Sequence, residues 1–254
     1  MSSVAESPSS LAVATQTDQS VTVLTVDGVL DNTNSAALRD TIAKATLDGP
    51  SAVIVNITAL NVPAESAWST FIGAYWQLHT EPDVPVVLVC THRATREAVT
   101  RNGVAHFMPV FSTEKAARNA LGRLSRRTVR RAEARLPADL TSLRESRRLV
   151  REWLTAWSRS PFIPVALVVV NVFVENVLEH TASVPIMRIE TDGATATIAV
   201  SDDSNAPARR LPPPAKGIDV SGLAIVEALS RAWGSTPTSS GKTVWAVIGP
   251  ENQL

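Results

Sequence analysis

Val21-Thr-Val-Leu-Thr-Val-Asp-Gly-Val-Leu-Asp31 is the stretch from which the first half of the chain can be read. Its first six residues are β-branched and alternating, which predicts a strand, and Asp27-Gly28 then supplies a turn. Residues 32–45 place Ala36, Ala37, Leu38, Ile42 and Ala45 at helical spacing behind a cap at Asn34 or Ser35. Ala52-Val-Ile-Val55 predicts a buried strand. Residues 67–78 predict a helix with Trp68, Phe71, Ile72 and Tyr75 on one side. Residues 84–89 read as a further strand, and residues 95–102 as a helix ended by Gly103. The order βαβαβα with short links predicts a mostly one-sided α/β sheet.

The pattern changes after that. Residues 114–135 are rich in helix formers and arginine, Pro137 punctuates them, and Asp139 or Thr141 caps a helix running to about Trp157. A second helix is expected over residues 165–180, then strands over 186–190 and 195–201. A proline-rich stretch, a helix over 222–233 and a strand over 243–248 follow. Helices first and antiparallel strands after them make an α+β layout. The expected organisation is two domains: a disordered N-terminus at 1–20, an α/β domain at 21–121, an Arg-rich helical connector at 122–136 and the α+β domain at 137–254.

The composition is globular, with 44% hydrophobic and 19% charged residues in a chain of 254. Lys plus Arg and Asp plus Glu are both 24, so no net charge draws the chain as a whole to nucleic acid or membrane. A single cysteine, Cys90, makes neither an internal disulfide nor a thiolate metal cluster, which fits a reducing cytoplasm. The first ten residues lack a basic-then-apolar leader. The greasiest run, residues 163–174, is interrupted by Asn171 and is shorter than a ~30 Å bilayer requires. The expectation is a cytoplasmic protein with no membrane span. The arginines at 123, 126, 127, 130, 131 and 135 read as the solvated face of a connecting helix rather than a nucleic-acid patch.

Val26-Asp-Gly-Val-Leu-Asp31 followed by Ala37-Leu38, the strand Val53-Ile-Val-Asn-Ile57, and Gly103-Val104 before Phe107-Met-Pro-Val-Phe111 together resemble the STAS family of anti-sigma factor antagonists. The resemblance implies a phosphorylatable Asp-Ser-Ser-Gly-like turn at a helix N-terminus, where free N–H groups and the dipole suit an anion. An ungapped match puts Ala64-Glu65-Ser66-Ala67 there. Glu65 then takes the phosphorylated position and Ser66 the next. Three readings stand side by side: an ordinary Glu/Ser helix cap, a working phosphosite at Ser66, and a permanent charge at Glu65 that imitates phosphate with about half its charge.

The second half resembles the anti-sigma serine kinases, so the whole chain resembles an actinobacterial-type fusion of the two modules. Those kinases share the Bergerat fold of histidine-kinase-type ATPases, an α+β sandwich. The matching blocks are Leu136-Pro-Ala-Asp139 with Arg147-Arg-Leu-Val-Arg-Glu-Trp-Leu154, Val174-Glu-Asn-Val-Leu-Glu-His-Thr181, Val200-Ser-Asp-Asp-Ser204, Gly222-Leu-Ala-Ile-Val226, Arg231-Ala-Trp-Gly234 and Gly241-Lys-Thr-Val-Trp245. The resemblance implies ATP or ADP with Mg²⁺. Asn176 would give Mg²⁺ an oxygen, Asp202 would accept the adenine amino hydrogen, and Thr243 would support that contact. Gly217 and Gly222 would let backbone N–H groups approach the phosphates. Taken singly, these four types of residue are more ordinarily a helix Asn, a turn Asp, a strand Thr and helix-start glycines.

Two departures stand out. The position expected to carry the general base, four before Asn176, is Val172, which accepts no proton. Glu175 is adjacent to Asn176 and so points roughly 100° away on the helix, and Glu179 lies one turn on the other side. The lid, residues 206–217, holds four prolines with Arg209, Arg210 and Lys216 as its cations. Trp233 and Trp245 read as core. The functional expectation is therefore a sigma-factor regulator of the partner-switching type that acts by protein binding, with nucleotide as a ligand and no catalytic residue. Its expected partners are a sigma factor, STAS or anti-sigma proteins, and its own other domain. The alternatives are an active protein-serine kinase that phosphorylates STAS antagonists, and a structural STAS scaffold.

Overall fold

The computed structural model describes residues 10–78, 84–124, 129–208 and 221–252. The chain divides into two compact units, Met1–Arg126 and Arg127–Leu254.

The first unit is a five-stranded sheet in the order β1-β2-β3-β4-β5. Its strands are β1 (Leu11–Asp18), β2 (Val21–Val29), β3 (Ala52–Asn61), β4 (Val86–Val89) and β5 (Val110–Phe111). β1 pairs antiparallel with β2 from Leu11 opposite Gly28 to Asp18 opposite Val21, and the remaining pairs are parallel. The disorder expected over residues 11–18 gives way to strand, because the two-residue loop Gln19-Ser20 takes positive φ at both positions (49° and 65°) and turns the chain back on itself. Gly28 makes the pairing fit: it has φ +115°, and a Cβ there would lie 2.0 Å from the Ser10 carbonyl oxygen.

The helices of this unit are α1 (Ser35–Lys44), α2 (Ser69–Gln77), α3 (Arg93–Arg101), α4 (Val104–Phe107) and α5 (Glu114–Leu124). Asn34 starts α1 without a side-chain cap bond. The sheet is not one-sided. Ala117 of α5 packs into a cluster with Val21, Ala52, Ile54, Val87 and Val89, while the alternate residues Val53, Val55 and Ile57 of β3 are equally buried. Period-two alternation puts these two sets on opposite faces.

The second unit is an antiparallel sheet in the order β6-β7-β8-β10-β9. Its strands are β6 (Arg130–Arg135), β7 (Ile186–Thr191), β8 (Ala196–Asp202), β9 (Ala232–Pro237) and β10 (Lys242–Ile248), with helices α6 (Thr141–Ala156), α7 (Ile163–His180) and α8 (Gly222–Leu229). Within the expected helical connector, residues 130–135 instead form β6 and pair with β7 from Arg130 opposite Thr191 to Arg135 opposite Ile186. Arg131 binds Glu190 across the ladder (Nε to Oε1, 2.5 Å), and Arg188 also donates to Glu190. Arg130, Arg131 and Arg135 therefore lie on a strand rather than on a helix face, and Arg126 and Arg127 lie outside the described residues. The helix expected to reach Trp233 stops at Leu229, where the chain enters β9.

One core cluster joins Leu149, Val150 and Leu154 of α6, the buried stripe of α7, Leu223 and Val226 of α8, and Ile198, Val200, Val244, Ala246 and Ile248 of the sheet. The segment Ser160–His180 is long and apolar enough to cross a membrane by length and composition, with a mean hydropathy of 2.0, and half of that window is buried inside the protein. Its apolarity has a packing reason: Val165, Ala166, Val169, Val170, Phe173, Val174 and Val177 all enter this core. Removing a side chain such as Phe173, 1% exposed, would cost about 3–5 kcal/mol.

Candidate functional site

In the first unit, β3 ends at Asn61 and the chain makes a 3₁₀ turn over Glu65–Trp68 before α2 begins at Ser69. Ala67 and Trp68 are buried and anchor the turn, with the Trp68 ring centroid 5.8 Å from that of Phe71. Glu65 and Ser66 are exposed. Neither caps a helix: Ala64 and Trp68 occupy the cap positions without side-chain cap bonds, and Ser69 Oγ donates to the Ser66 carbonyl at 2.7 Å. The ordinary-cap reading is thereby corrected. Glu65 Oε1 lies 3.9 Å from Arg101 Nη2 at the end of α3, with side chains 75% and 62% exposed. Such a pair contributes well under ~1 kcal/mol. The turn is an exposed rim that presents a carboxylate and a hydroxyl from a buried base.

In the second unit, α7 carries both Val172 and Asn176, one turn apart on one side of the helix. Val172 is buried and faces the start of α8: a Cβ on Gly222 would lie 2.8 Å from Val172 Cγ1 and 3.4 Å from Cγ2. The position expected to hold a base is thus an apolar contact between two helices. Asn176 has its Nδ2 enclosed with no hydrogen-bond partner among the described residues. Glu175 is engaged along its own helix. Its Oε1 accepts from Asn171 Nδ2 (3.2 Å), and Asn171 Oδ1 accepts from Arg147 Nη1 (3.1 Å). Glu175 is thus bonded to Asn171, and Glu179 is exposed.

Asp202 ends β8 on the helix-covered face, in step with Ala196, Ile198 and Val200 of the core. Directly across the ladder stands Lys242, whose Nζ donates to Asp202 Oδ1 at 2.8 Å. The Ser204 amide donates to the same oxygen at 2.7 Å. The side chains of this ion pair are 1% and 10% exposed. Thr243 alternates to the opposite face, where its Oγ1 shares a 2.7 Å hydrogen bond with Ser201 Oγ. Lys242, not Thr243, is therefore the residue that meets Asp202. Period-two alternation of β10 against Val244 and Ile248 carries this signal in the sequence, once the register with β8 is known. Trp245 is core, 3% exposed, with Nε1 bonded to Thr236 Oγ1 at 3.0 Å; Trp233 is partly buried against the core cluster.

Gly222 follows Ser221, whose hydroxyl accepts from the Ala224 amide at 3.4 Å and caps α8. Gly217, Arg209, Arg210 and Lys216 lie outside the described residues. The donor set fits a nucleotide with Mg²⁺ in part. The enclosed amide of Asn176 suits a ligand contact. Asp202 reaches an adenine amino group only through Oδ2, because Oδ1 serves Lys242 and Ser204, and Thr243 faces away.

The family model described as STAS domain matches residues 12–117. No curated protein matches the chain. Among solved structures, an anti-sigma factor antagonist from Mycobacterium paratuberculosis is 22% identical with a TM-score of 0.40, covering 46% of this chain and 97% of that one. The Bacillus protein SpoIIAA in its phosphorylated form is 20% identical with a TM-score of 0.33, covering 43% and 99%. The RsbU and RsbW domains of a Mycobacterium tuberculosis protein are 20% identical with a TM-score of 0.36, covering 47% of this chain and 32% of that one. Residues 12–117 are a STAS domain, and residues 118–254 lie outside the family match.

Proposed function

We propose that this chain is a partner-switching regulator that acts by binding proteins and transfers no phosphate at a useful rate. The STAS domain at residues 12–117 supports the class of partner, since STAS relatives are anti-sigma factor antagonists. The observation that carries the non-catalytic half of the reading is the packing of Val172 on Gly222. A positioned general base contributes roughly 10²- to 10⁴-fold, or about 3–5 kcal/mol of barrier. An isopropyl group wedged between α7 and α8 supplies none of it, and Glu175 is engaged elsewhere.

The second unit is the anti-sigma-like module of this reading. It takes a sigma factor or another STAS protein as its partner, with ATP or ADP and Mg²⁺ held by Asn176, Asp202, Gly217 and Gly222 as a ligand rather than a substrate. The two units also bind one another. A tether raises their effective concentration to the order of millimolar, so a weak contact suffices for one to block the other's surface.

Transfer of labelled phosphate from ATP to Ser66 or to purified STAS proteins tests the catalytic claim. Wild-type protein should give no labelling above background, and robust labelling overturns the reading. Calorimetry on separately expressed segments, about residues 1–125 and 130–254, tests the partner claim; it predicts heat that Glu65→Ala or Ser66→Asp alters. The absence of both heat and co-elution at high concentration counts against it. Nucleotide is tested by thermal shift of the wild type against Asn176→Ala, a ligand selective for the folded state raising the melting temperature by mass action.

A further inference from the structure

A second polar site lies in the second unit, at the end of α6. Arg130, Trp157, Arg159, Thr191, Asp192 and Gly193 line a cavity of about 240 Å³. α6 closes at Trp157 in a Schellman-type turn: the Arg159 amide donates to the Leu154 carbonyl (2.7 Å) and the Ser158 amide to that of Thr155 (2.9 Å). Ser158 takes the left-handed conformation, φ 58°, at the place where glycine is usual. This turn directs Arg159 against the β7–β8 hairpin. There Gly193 has φ +90°, and a Cβ on it would lie 2.8 Å from Arg159 Nη2. Arg130, first residue of β6 and opposite Thr191, supplies a second guanidinium.

Two side-chain oxygens of the hairpin are engaged within it. Asp192 Oδ1 accepts from the amides of Ala194 (2.9 Å) and Thr195 (2.8 Å) and from Thr195 Oγ1 (3.1 Å). Thr191 Oγ1 donates to the Thr195 carbonyl (2.7 Å) and accepts from the Gly193 amide (3.1 Å). The guanidinia are not so engaged. Among the described residues neither Arg130 nor Arg159 has a carboxylate partner, and Arg159 donates only to the Ser158 carbonyl, through Nη1 at 3.2 Å. Besides the Asp192 carboxylate, what the cavity offers a visitor is the N–H donors of two positively charged guanidinia, next to the indole of Trp157. Ligand pockets ordinarily span ~300–1,000 Å³, so this one takes a small guest.

We propose that this cavity binds a small phosphate monoester carried on a single flat ring, the phosphate held between Arg130 and Arg159 and the ring against Trp157. The two planar forks match phosphate oxygens in pairs, a geometry that lysine does not reproduce. The site is separate from Asn176 and Asp202 and does not rest on the partner-switching reading.

Calorimetry of the full chain with phenyl phosphate tests it. Wild-type protein should saturate at or below the millimolar range. Arg130→Ala and Arg159→Ala should each weaken binding roughly tenfold or more, as loss of a charge-assisted hydrogen bond does. Arg159→Lys should recover only part of the loss. Neither arginine holds an ion pair among the described residues, so circular dichroism should show both alanine variants folded. Inorganic phosphate and benzoate should each bind more weakly than phenyl phosphate. No saturable heat up to ~10 mM, heat that survives in the Arg130→Ala/Arg159→Ala double variant, or equal binding of inorganic phosphate overturns the proposal.

Discussion

Lys242→Met removes the cation that neutralises Asp202 and leaves a carboxylate whose side chain is 1% exposed. At the observed 2.8 Å separation and an effective dielectric near 20, the direct attraction is roughly 6 kcal/mol. Desolvation of both charges offsets most of it, so the pair as a whole is close to neutral against an apolar pair of similar shape. Breaking it from one side is different: the surviving buried charge costs about 3–5 kcal/mol. Asp202→Asn/Lys242→Met should therefore be far less destabilised than Lys242→Met alone, because the introduced side-chain amide still accepts from the Ser204 N–H and carries no charge. Urea unfolding followed by tryptophan fluorescence reads this out, since four of the six tryptophans, Trp153, Trp157, Trp233 and Trp245, belong to the second unit. With a slope of about 2 kcal/mol per molar urea, Lys242→Met should lower the midpoint of that unit by roughly 2 M. A shift below about 0.5 M, or a double variant as unstable as the sum of the two single ones, would refute the argument. Either result would mean that the pair is solvated in solution.

Gly222→Ala should destabilise the second unit, because its Cβ meets Val172 Cγ1 at 2.8 Å, and Val172→Ala should relieve part of that loss; additive effects in a double-mutant cycle would contradict the contact. Val172→Glu buries a carboxylate at a position 8% exposed. It should therefore lower stability by several kcal/mol without creating kinase activity, as thermal melting beside a labelled-ATP assay would report. Glu65→Gln should leave the stability of the first unit within about 0.5 kcal/mol, since the Arg101 pair is exposed and long; a larger loss by chemical denaturation would show a structural role for this turn. Asp139 accepts from Thr141 Oγ1 and the Thr141 amide, and these bonds hold its carboxyl below the usual carboxylate value. Stability from such a depressed group is full above the ordinary value and is lost as pH falls through the folded one. Asp139→Asn should accordingly flatten the acid side of the stability profile, and an unchanged acid slope would rule this out.

The regular elements were legible wherever local pattern and burial agree. Val21-Thr-Val-Leu-Thr-Val26, Ala52-Val-Ile-Val55 and the apolar stripe of residues 165–180 announce strand, strand and helix, because alternation or 3.6-residue spacing is enforced within the segment. The altered turn at Glu65-Ser66 and the valine at 172 were also visible as residue types. Four strands were not, and one of them, β5, has only two residues and so no pattern to read. β1 is polar and mostly exposed, so it has no hydrophobic signature, and its partner β2 makes it a strand. β6 reads Arg-Arg-Ala-Glu-Ala-Arg, a helix-forming composition, and becomes a strand because Glu190 and Arg188 of β7 complement its charges across the ladder. β9 continued what looked like a helix.

The site divides in the same way. Sequence alone determined which residue types stand at 65, 66, 172, 176, 202 and 222, and hence that no carboxylate occupies the base position. Only the tertiary structure decided what each one meets: Val172 against Gly222, and Asp202 paired with Lys242 rather than supported by Thr243. The Asp202–Lys242 pair spans 40 positions in sequence. Its existence depends on strand register, and a one-residue slip would have turned Thr243 inward and Lys242 out. Register is set by hydrogen bonds between backbones far apart along the chain, which local periodicity does not encode.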